Sequence, residues 1–233
     1  TTNAVISSTE LKKAVFHLYE ISKGQVVLDN FNMLFRNPMG YLKGAIRLIG
    51  DIFRQGVITR SALGLSYRFF YAATLSKQLK QANVQHVHVH FAHIPTDIAM
   101  YAAPMAGIGF SVQAHANDLF ERGWLLKQKV SRSVFFATIS EFNQRFLDDL
   151  QADSNKIKIV RCGVDQNWQP PAKSLNQNEI FTIGTVGRLV EKKGIDTLIN
   201  AISKLVKDGR KVRLQIAGNG PLETELKQQA VSL

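Results

Sequence analysis

Residues 181–217 read FTIGTVGRLVEKKGIDTLINAISKLVKDGRKVRLQIA, and the order of apolar patterns in that run decides the fold. Phe181–Gly187 is a short apolar run closed by glycine, which reads as a buried strand. Ile195, Leu198, Ile199, Ile202 and Leu205 recur at the spacing of one helical face and predict an amphipathic helix over Ile195–Lys207. Val212–Ala217 is a second strand, and Pro221 opens another helix. Strand, helix and strand in this order make a βαβ unit, and hence a parallel sheet.

The same alternation runs upstream. Val84–Phe91, Phe110–Ala114, Val134–Ile139 and Ile157–Arg161 read as strands. Between them lie three expected helices: Pro95–Ala106, one from an Asp118 N-cap through Ser131, and one from a Ser140 cap to about Leu150. Gln166–Asn178 interrupts the pattern with two prolines and three asparagines, a linker composition. The expected organisation is α/β, with two doubly wound Rossmann-like domains: residues 1–165, a linker over 166–178, and a second domain over 179–233. Two strands and one finished helix are too few to cover both faces of a parallel sheet. The second domain is therefore expected to be only begun, and the chain to be a fragment.

Composition narrows the function classes. Of the 233 residues 45% are hydrophobic, enough for a sizeable core, so global disorder is excluded. A single cysteine, Cys162, excludes an internally disulfide-bonded scaffold and favours a reducing compartment. The stretch Ile98–Asn117 is uncharged but for its ends' neighbours, and Pro104, Gly107, Gly109, Gln113 and His115 break it, so no membrane-spanning run is expected. The formal net charge of +11 calls for an anionic partner. Nucleic acid fits poorly, because the aromatic residues do not interleave with Lys and Arg along a strand pair.

Three motifs carry candidate chemistry. In Gly187-Arg188-Leu-Val-Glu-Lys192-Lys193-Gly194 a strand ends in glycine and presents two cations before a helix starts. Such a turn suits a diphosphate, since ligands of doubly wound sheets sit at the carboxyl ends of strands. It also reads as an ordinary basic turn facing water. Gly218-Asn-Gly220-Pro221 is a second turn at the same expected edge, and equally a tight turn closed by proline. His86, His88 and His90 alternate on one strand and share a face. They read either as a metal site, and so as a metal-dependent hydrolase, or as packed and solvated histidines with only His90 and His93 near a cleft. His115 ends the next strand, where it is placed to meet a ligand, or to hydrogen-bond the Asp118 turn.

Taken in order, these pieces resemble family 4 retaining glycosyltransferases of the GT-B fold, of the kind that build bacterial exopolysaccharide and lipopolysaccharide. The resemblance rests on His88-Val-His90-Phe-Ala, His115-Ala-Asn-Asp118, Thr138-Ile-Ser140-Glu-Phe-Asn, Arg161-Cys-Gly163-Val-Asp165, Gly187 to Gly194, and Gly218-Asn-Gly220-Pro221. It implies a nucleotide diphosphate sugar as donor and a glycan or lipid-linked saccharide as acceptor. Gly187, Arg188 and Lys193 would bind the donor diphosphate. His115 would be the catalytic acceptor-side histidine, with His90 and Asp118 in the acceptor-side cleft. No cofactor and no metal are expected, because the cations take a metal's place. The family's paired glutamates and opening glycine-rich loop are not found in the chain, and Trp168 stands where phenylalanine is common.

Positive charge gathers early: residues 1–80 hold 11 basic and 4 acidic side chains. Within them Gly40–Gln55 is amphipathic, with Leu42, Ala45, Ile46, Ile49, Ile52 and Phe53 on one face and Lys43, Arg47 and Arg54 on the other. Two readings follow. The helix packs its apolar face on the sheet and leaves the basic face in water, or residues 40–55 lie on an anionic membrane surface. The second would make the chain a peripheral protein on the inner face of the cytoplasmic membrane, or even a non-catalytic membrane-binding module.

Overall fold

The computed structural model describes residues 15–163 and 180–233. The chain divides into two compact units, Thr1–Val164 and Asp165–Leu233. The expected linker, Gln166–Asn178, and Trp168 lie outside the described residues.

The first unit starts, after a 3-10 turn at Leu18–Glu20, with three helices: α1 (Lys23–Arg36), α2 (Pro38–Gln55) and α3 (Arg60–Gln81). Each has a polar side-chain cap. Ser22 accepts from the Gln25 amide, Asn37 from Gly40 and Thr59 from Ala62. Asn37 also turns the corner between α1 and α2, because its side-chain amide donates to the Met105 carbonyl.

The sheet follows: β1 (His86–His90), α4 (Ile94–Ala106), β2 (Gly109–Gln113), α5 (Ala116–Phe120), α6 (Leu126–Arg132), β3 (Phe136–Thr138), α7 (Glu141–Asp149) and β4 (Ile157–Ile159). The four strands are parallel in the order β1-β2-β3-β4, and the register sets His88 beside Ser111 and His90 beside Gln113. Parallel neighbours joined in chain order carry their connecting helices on one face when the crossovers take the usual right hand. Val89, Phe110, Val112 and Phe136 are buried there.

The middle layer is α4, nine of whose thirteen residues are buried. Its Ala102 and Ala103 share one buried cluster with Ala72 and Ala73 of α3, and small side chains let the two helices approach closely. Gly44 does the same for α2, since a Cβ there would stand 2.7 Å from the Met105 methyl. Asp51 then locks α2 in place. Its carboxylate is fully buried, pairs with both terminal nitrogens of Arg132 at 2.6 and 2.8 Å, and accepts from the Tyr101 hydroxyl at 2.7 Å. Burial, then the Asp51 charge, pushes the Tyr101 phenol far above its ordinary range.

The second unit contains β5 (Phe181–Val186), a 3-10 turn at Glu191–Lys193, α8 (Ile195–Lys207), β6 (Val212–Ala217) and α9 (Glu223–Ser232). β5 and β6 pair in parallel from Phe181 beside Val212 to Val186 beside Ala217. Leu189, Ile195, Ile199 and Leu226 form its buried cluster.

Three expectations need correction. The single helix from Asp118 to Ser131 is two helices. Gly123 lies between them, with the Leu119 carbonyl 2.4 Å from where its Cβ would be, and Leu125 takes a left-handed conformation at φ 55° before α6. Asp118 is not the N-cap: that position belongs to His115, and Asp118 lies one turn inside α5. β5 is not a buried strand either, because only β6 flanks it among the described residues, and Phe181 and Val186 are exposed.

The helix over residues 40–55 forms, but it does not pack its apolar stripe on the sheet. Gly44 and Asp51 are buried and Tyr41, Ala45 and Leu48 pack against the core, while Leu42, Ile46, Ile49 and Phe53 face solvent.

Removing the Asp51 carboxylate would leave Arg132 and the Tyr101 hydroxyl buried without their shared partner. Asp51→Ala is expected to cost about 3–5 kcal/mol, read as a lowered urea midpoint of the first unit. An unchanged midpoint would show that Asp51 does not anchor α2.

Candidate active site

In the first unit the candidate residues gather at the carboxyl ends of β1 and β2. β1 ends at His90, and Phe91 follows with a left-handed backbone, φ 73°, that bulky side chains seldom adopt. The conformation is held from both sides. The Phe91 amide donates to the Gln113 carbonyl at 2.9 Å, and the Phe91 carbonyl accepts from the Thr96 hydroxyl at 2.7 Å. The turn swings the Phe91 ring between two imidazoles: it stacks on His93 at 5.3 Å and tilts against His115 at 5.1 Å. His93 caps α4, its Nδ1 accepting from the Ile94 amide.

Asp118 binds the two strand ends together. One carboxylate oxygen accepts from the Ala92 amide, just past β1, and the other from the His115 amide, just past β2. It is completely buried, so it positions the His115 turn from beneath. His115 itself is half-buried, at the surface of the edge.

Beneath the same edge lies Lys129 of α6, with no exposed surface. Its ammonium donates to the Ala92 carbonyl at 2.6 Å and pairs with Asp97 at 2.7 Å, and Asp97 also receives Arg68. Burial pulls the Lys129 pKa down while the Asp97 charge opposes it. Arg68 lies 5.3 Å from the Trp124 ring, within cation–π range. A cavity of about 250 Å³ opens here, lined by Arg68, His93, Asp97, Arg122 and Trp124 among others.

Sequence reasoning singled out none of Phe91, Lys129, Arg68 and Trp124. Phe91 could have been found from its place directly after the histidine strand. Lys129 carried no signal, because nothing in its neighbourhood distinguishes a buried lysine from a solvated one.

The histidines of β1 share an exposed face. His86 Nε2 and His88 Nδ1 both approach the Ser111 hydroxyl, at 2.8 and 2.7 Å, and His88 meets His90 edge-on at 5.3 Å. A shared hydroxyl engages two of the three imidazoles. Among the described residues no three His, Cys, Asp or Glu side chains form a group that could hold a metal ion. His88 and His93 both have lowered pKa values, first through burial; neighbouring His90 and His86 lower His88 further.

In the second unit, Gly187 to Gly194 leaves the carboxyl end of β5 and enters α8. The turn is built on backbone contact with the Gly218–Pro221 turn. Gly187 donates to Ala217, Leu189 to Asn219, and Leu222 to Leu189. Glycine is required at two of these positions: a Cβ on Gly218 would stand 1.9 Å from the Gly187 carbonyl oxygen, and one on Gly220 2.3 Å from that of Leu189. Gly187 faces open space.

Arg188 and Lys193 project from this turn into solvent, and neither has an ion-pair partner among the described residues. Gly194, at φ 60°, caps α8 without a side chain, so no capping oxygen competes for the first amides of the helix. A cavity of about 550 Å³ in this unit is lined instead by apolar groups such as Ile199, Val206, Leu214 and Leu226, with neither cation at its wall.

Comparison with known proteins bears on both units. Residues 166–233 match the family model described as Glycosyl transferases group 1. Two curated relatives are each 41% identical: the phosphatidylinositol N-acetylglucosaminyltransferase gpi3 subunit of Schizosaccharomyces pombe, over 30% of this chain, and a glycogen synthase of Halorhodospira halophila, over 36%. The chain spans about 15% of the length of either relative. Among solved structures, the lipopolysaccharide outer core galactosyltransferase WaaB superposes on 76% of this chain and 48% of its own, with a TM-score of 0.55 and 17% identity. A TarM variant from S. aureus, in complex with Fondaparinux, alpha-GlcNAc-glycerol and UDP, covers 70% of this chain and 34% of its own, at TM-score 0.51 and 16% identity. These likenesses give the fold: Rossmann-like α/β units of the GT-B type.

Two outcomes follow from the geometry. Gly218→Ala must push the Gly187 carbonyl aside and is expected to destabilise the second unit by about 1–3 kcal/mol, measured by urea denaturation; a neutral effect would mean that the two turns do not touch. His88 and His93 bind protons more weakly folded than unfolded. Their contribution to stability is therefore full above the unfolded value of about 6.5 and is lost as pH falls toward the lowered folded values. The urea midpoint is expected to drop between about pH 7 and pH 5, and less steeply in H88Q/H93Q; equal slopes would refute that assignment.

Proposed function

We propose that the chain is part of a family 4 retaining glycosyltransferase, one that moves a sugar from a nucleotide diphosphate sugar to a glycan or lipid-linked saccharide in the synthesis of cell-surface polysaccharide. The observation that carries this reading is the β5–α8 turn. Two solvent-facing cations, Arg188 and Lys193, flank an open glycine and a helix start without a side-chain cap, within the segment that matches the glycosyltransferase family model.

On this reading the turn holds the donor diphosphate. The bond between the anomeric carbon and the β-phosphate oxygen breaks as the acceptor hydroxyl attacks the same face. Negative charge grows on the departing diphosphate, where Arg188 and Lys193 stabilise it, and the hydroxyl proton passes to that phosphate oxygen. Gly187 gives the phosphate room to approach the backbone. The cations do the work of a bound metal, so none is needed for leaving-group departure. In the first unit His115 is the catalytic histidine, with His90 on the acceptor side, and Asp118 sets the orientation of the His115 turn. UDP and a glycan accompany the TarM variant, which supports those partner classes for this chain.

Calorimetric titration with UDP, ADP and GDP tests the site. Arg188→Ala and Lys193→Ala are each expected to weaken binding of the preferred nucleotide by about tenfold or more, the loss of one charge-assisted contact to phosphate. Unchanged affinity in both variants would overturn the diphosphate assignment. Loss of binding on treatment with a chelator, restored by a divalent cation, would overturn the metal-free reading.

A further inference from the structure

We propose that α2 docks on an anionic lipid surface, with the helix lying along the membrane and its Leu42–Ile46–Ile49–Phe53 stripe in the acyl boundary. The inference is independent of the sugar-transfer reading.

The first observation is a second apolar face. A surface helix normally turns its apolar face to the core and a polar one to water. α2 packs Tyr41, Gly44, Ala45 and Leu48 inward with Asp51, yet Leu42, Ile46, Ile49 and Phe53 on the other side are each more than half exposed. Their spacing of four, three and four residues keeps them on one line down the helix. The stripe continues beyond the C-terminus, where Val57 is 56% and Ile58 97% exposed. With 18 residues the helix is about 27 Å long. Among the described residues no helix is long and apolar enough to cross a membrane, so α2 would lie on the surface.

The second observation is charge. From Ile21 to Thr96 the chain has only two carboxylates, Asp29 and Asp51. Both are buried and paired, Asp29 with Lys77 and Asp51 with Arg132 and, at 3.6 Å, with the half-exposed Arg54. The exposed charges over the same stretch are all basic, and Lys43, Arg47 and Arg54 run along one flank of the α2 stripe. Every negative charge is turned inward and every solvated one is positive. That pattern complements anionic headgroups beside acyl chains. A second copy of this face would meet it with like charge, and nucleic acid would satisfy the cations while leaving the apolar stripe in water.

Co-sedimentation of the chain with vesicles tests the surface. Binding to phosphatidylcholine vesicles that contain phosphatidylglycerol is expected, with little binding to phosphatidylcholine alone. K43E/R47E is expected to lower partitioning by about 100-fold or more, since each basic residue near an anionic surface contributes roughly a fivefold factor and reversal counts twice. I46S/F53S should lower it on the same vesicles while the far-ultraviolet spectrum and urea midpoint stay at wild-type values, because both side chains are already in solvent. In F53W, blue-shifted emission quenched by brominated lipid would place the stripe in the acyl region. Equal binding to both vesicle types, undiminished binding in K43E/R47E, or a dimer by light scattering that I46S/F53S dissolves would overturn the proposal.

Discussion

A buried ammonium holds the candidate edge of the first unit together. Lys129 has no access to water, and moving its charge out of solvent is tolerable only because the Asp97 carboxylate and the Ala92 carbonyl take its protons. Both partners are functional in position: Ala92 directly follows the Phe91 turn, and Asp97 is in the first turn of α4. Asp118 adds the reciprocal bond, accepting from the Ala92 amide. The backbone at Ala92 is thus clamped at its carbonyl and its amide by two charged side chains from different helices. This clamp fixes the left-handed Phe91, and through Phe91 the spacing of His93 and His115.

The second unit reaches a rigid edge by other means. Instead of charged clamps it uses backbone-to-backbone contact, which glycine at 218 and 220 permits and any Cβ would block. The consequence for chemistry is a division of labour. Because main-chain bonds and the buried Leu189 hold the Gly187–Gly194 turn, the side chains of Arg188 and Lys193 are not consumed in building it. In the first unit the basic side chains near the edge are structural: Lys129 and Arg68 are committed to Asp97. One edge therefore commits Lys129 and Arg68 to an internal carboxylate, while the other leaves Arg188 and Lys193 in solvent.

The sequence made the periodic parts legible. Hydrophobic spacing located every strand of both units to within a few residues, placed α8 at Ile195–Lys207 and identified Ser140 as a cap, because those features are local. Local pattern failed wherever a distant partner decided the outcome. Asp118 reads as a cap, since aspartate before an apolar run usually is one, yet the Ala92 amide, 26 residues away, claims its carboxylate. Gly123 and Leu125 divide a helix whose periodicity alone looks continuous. The exposure of β5 follows from what flanks it, which no pattern within the strand can state. Of the site, His90, His115, Arg188 and Lys193 were visible as edge residues; Lys129, Arg68 and Phe91 were not, because their importance lies in their contacts.

The α2 helix is the clearest case of pattern without direction. Its amphipathicity is plain from residues 40–55, but periodicity says only that two faces differ, not which of them meets the core. Asp51 settles that question. A carboxylate that accepts Arg132 at two nitrogens and Tyr101 at its hydroxyl cannot turn to water without stranding both, so the opposite face, with Leu42, Ile46, Ile49 and Phe53, points outward. The exposed stripe is thus a consequence of a buried ion pair rather than of a weak core. Tyr41, Ala45 and Leu48 give the inner face apolar contact of its own, so hydrophobic attraction does not choose between the two sides; the Asp51 network and the small Gly44 contact do.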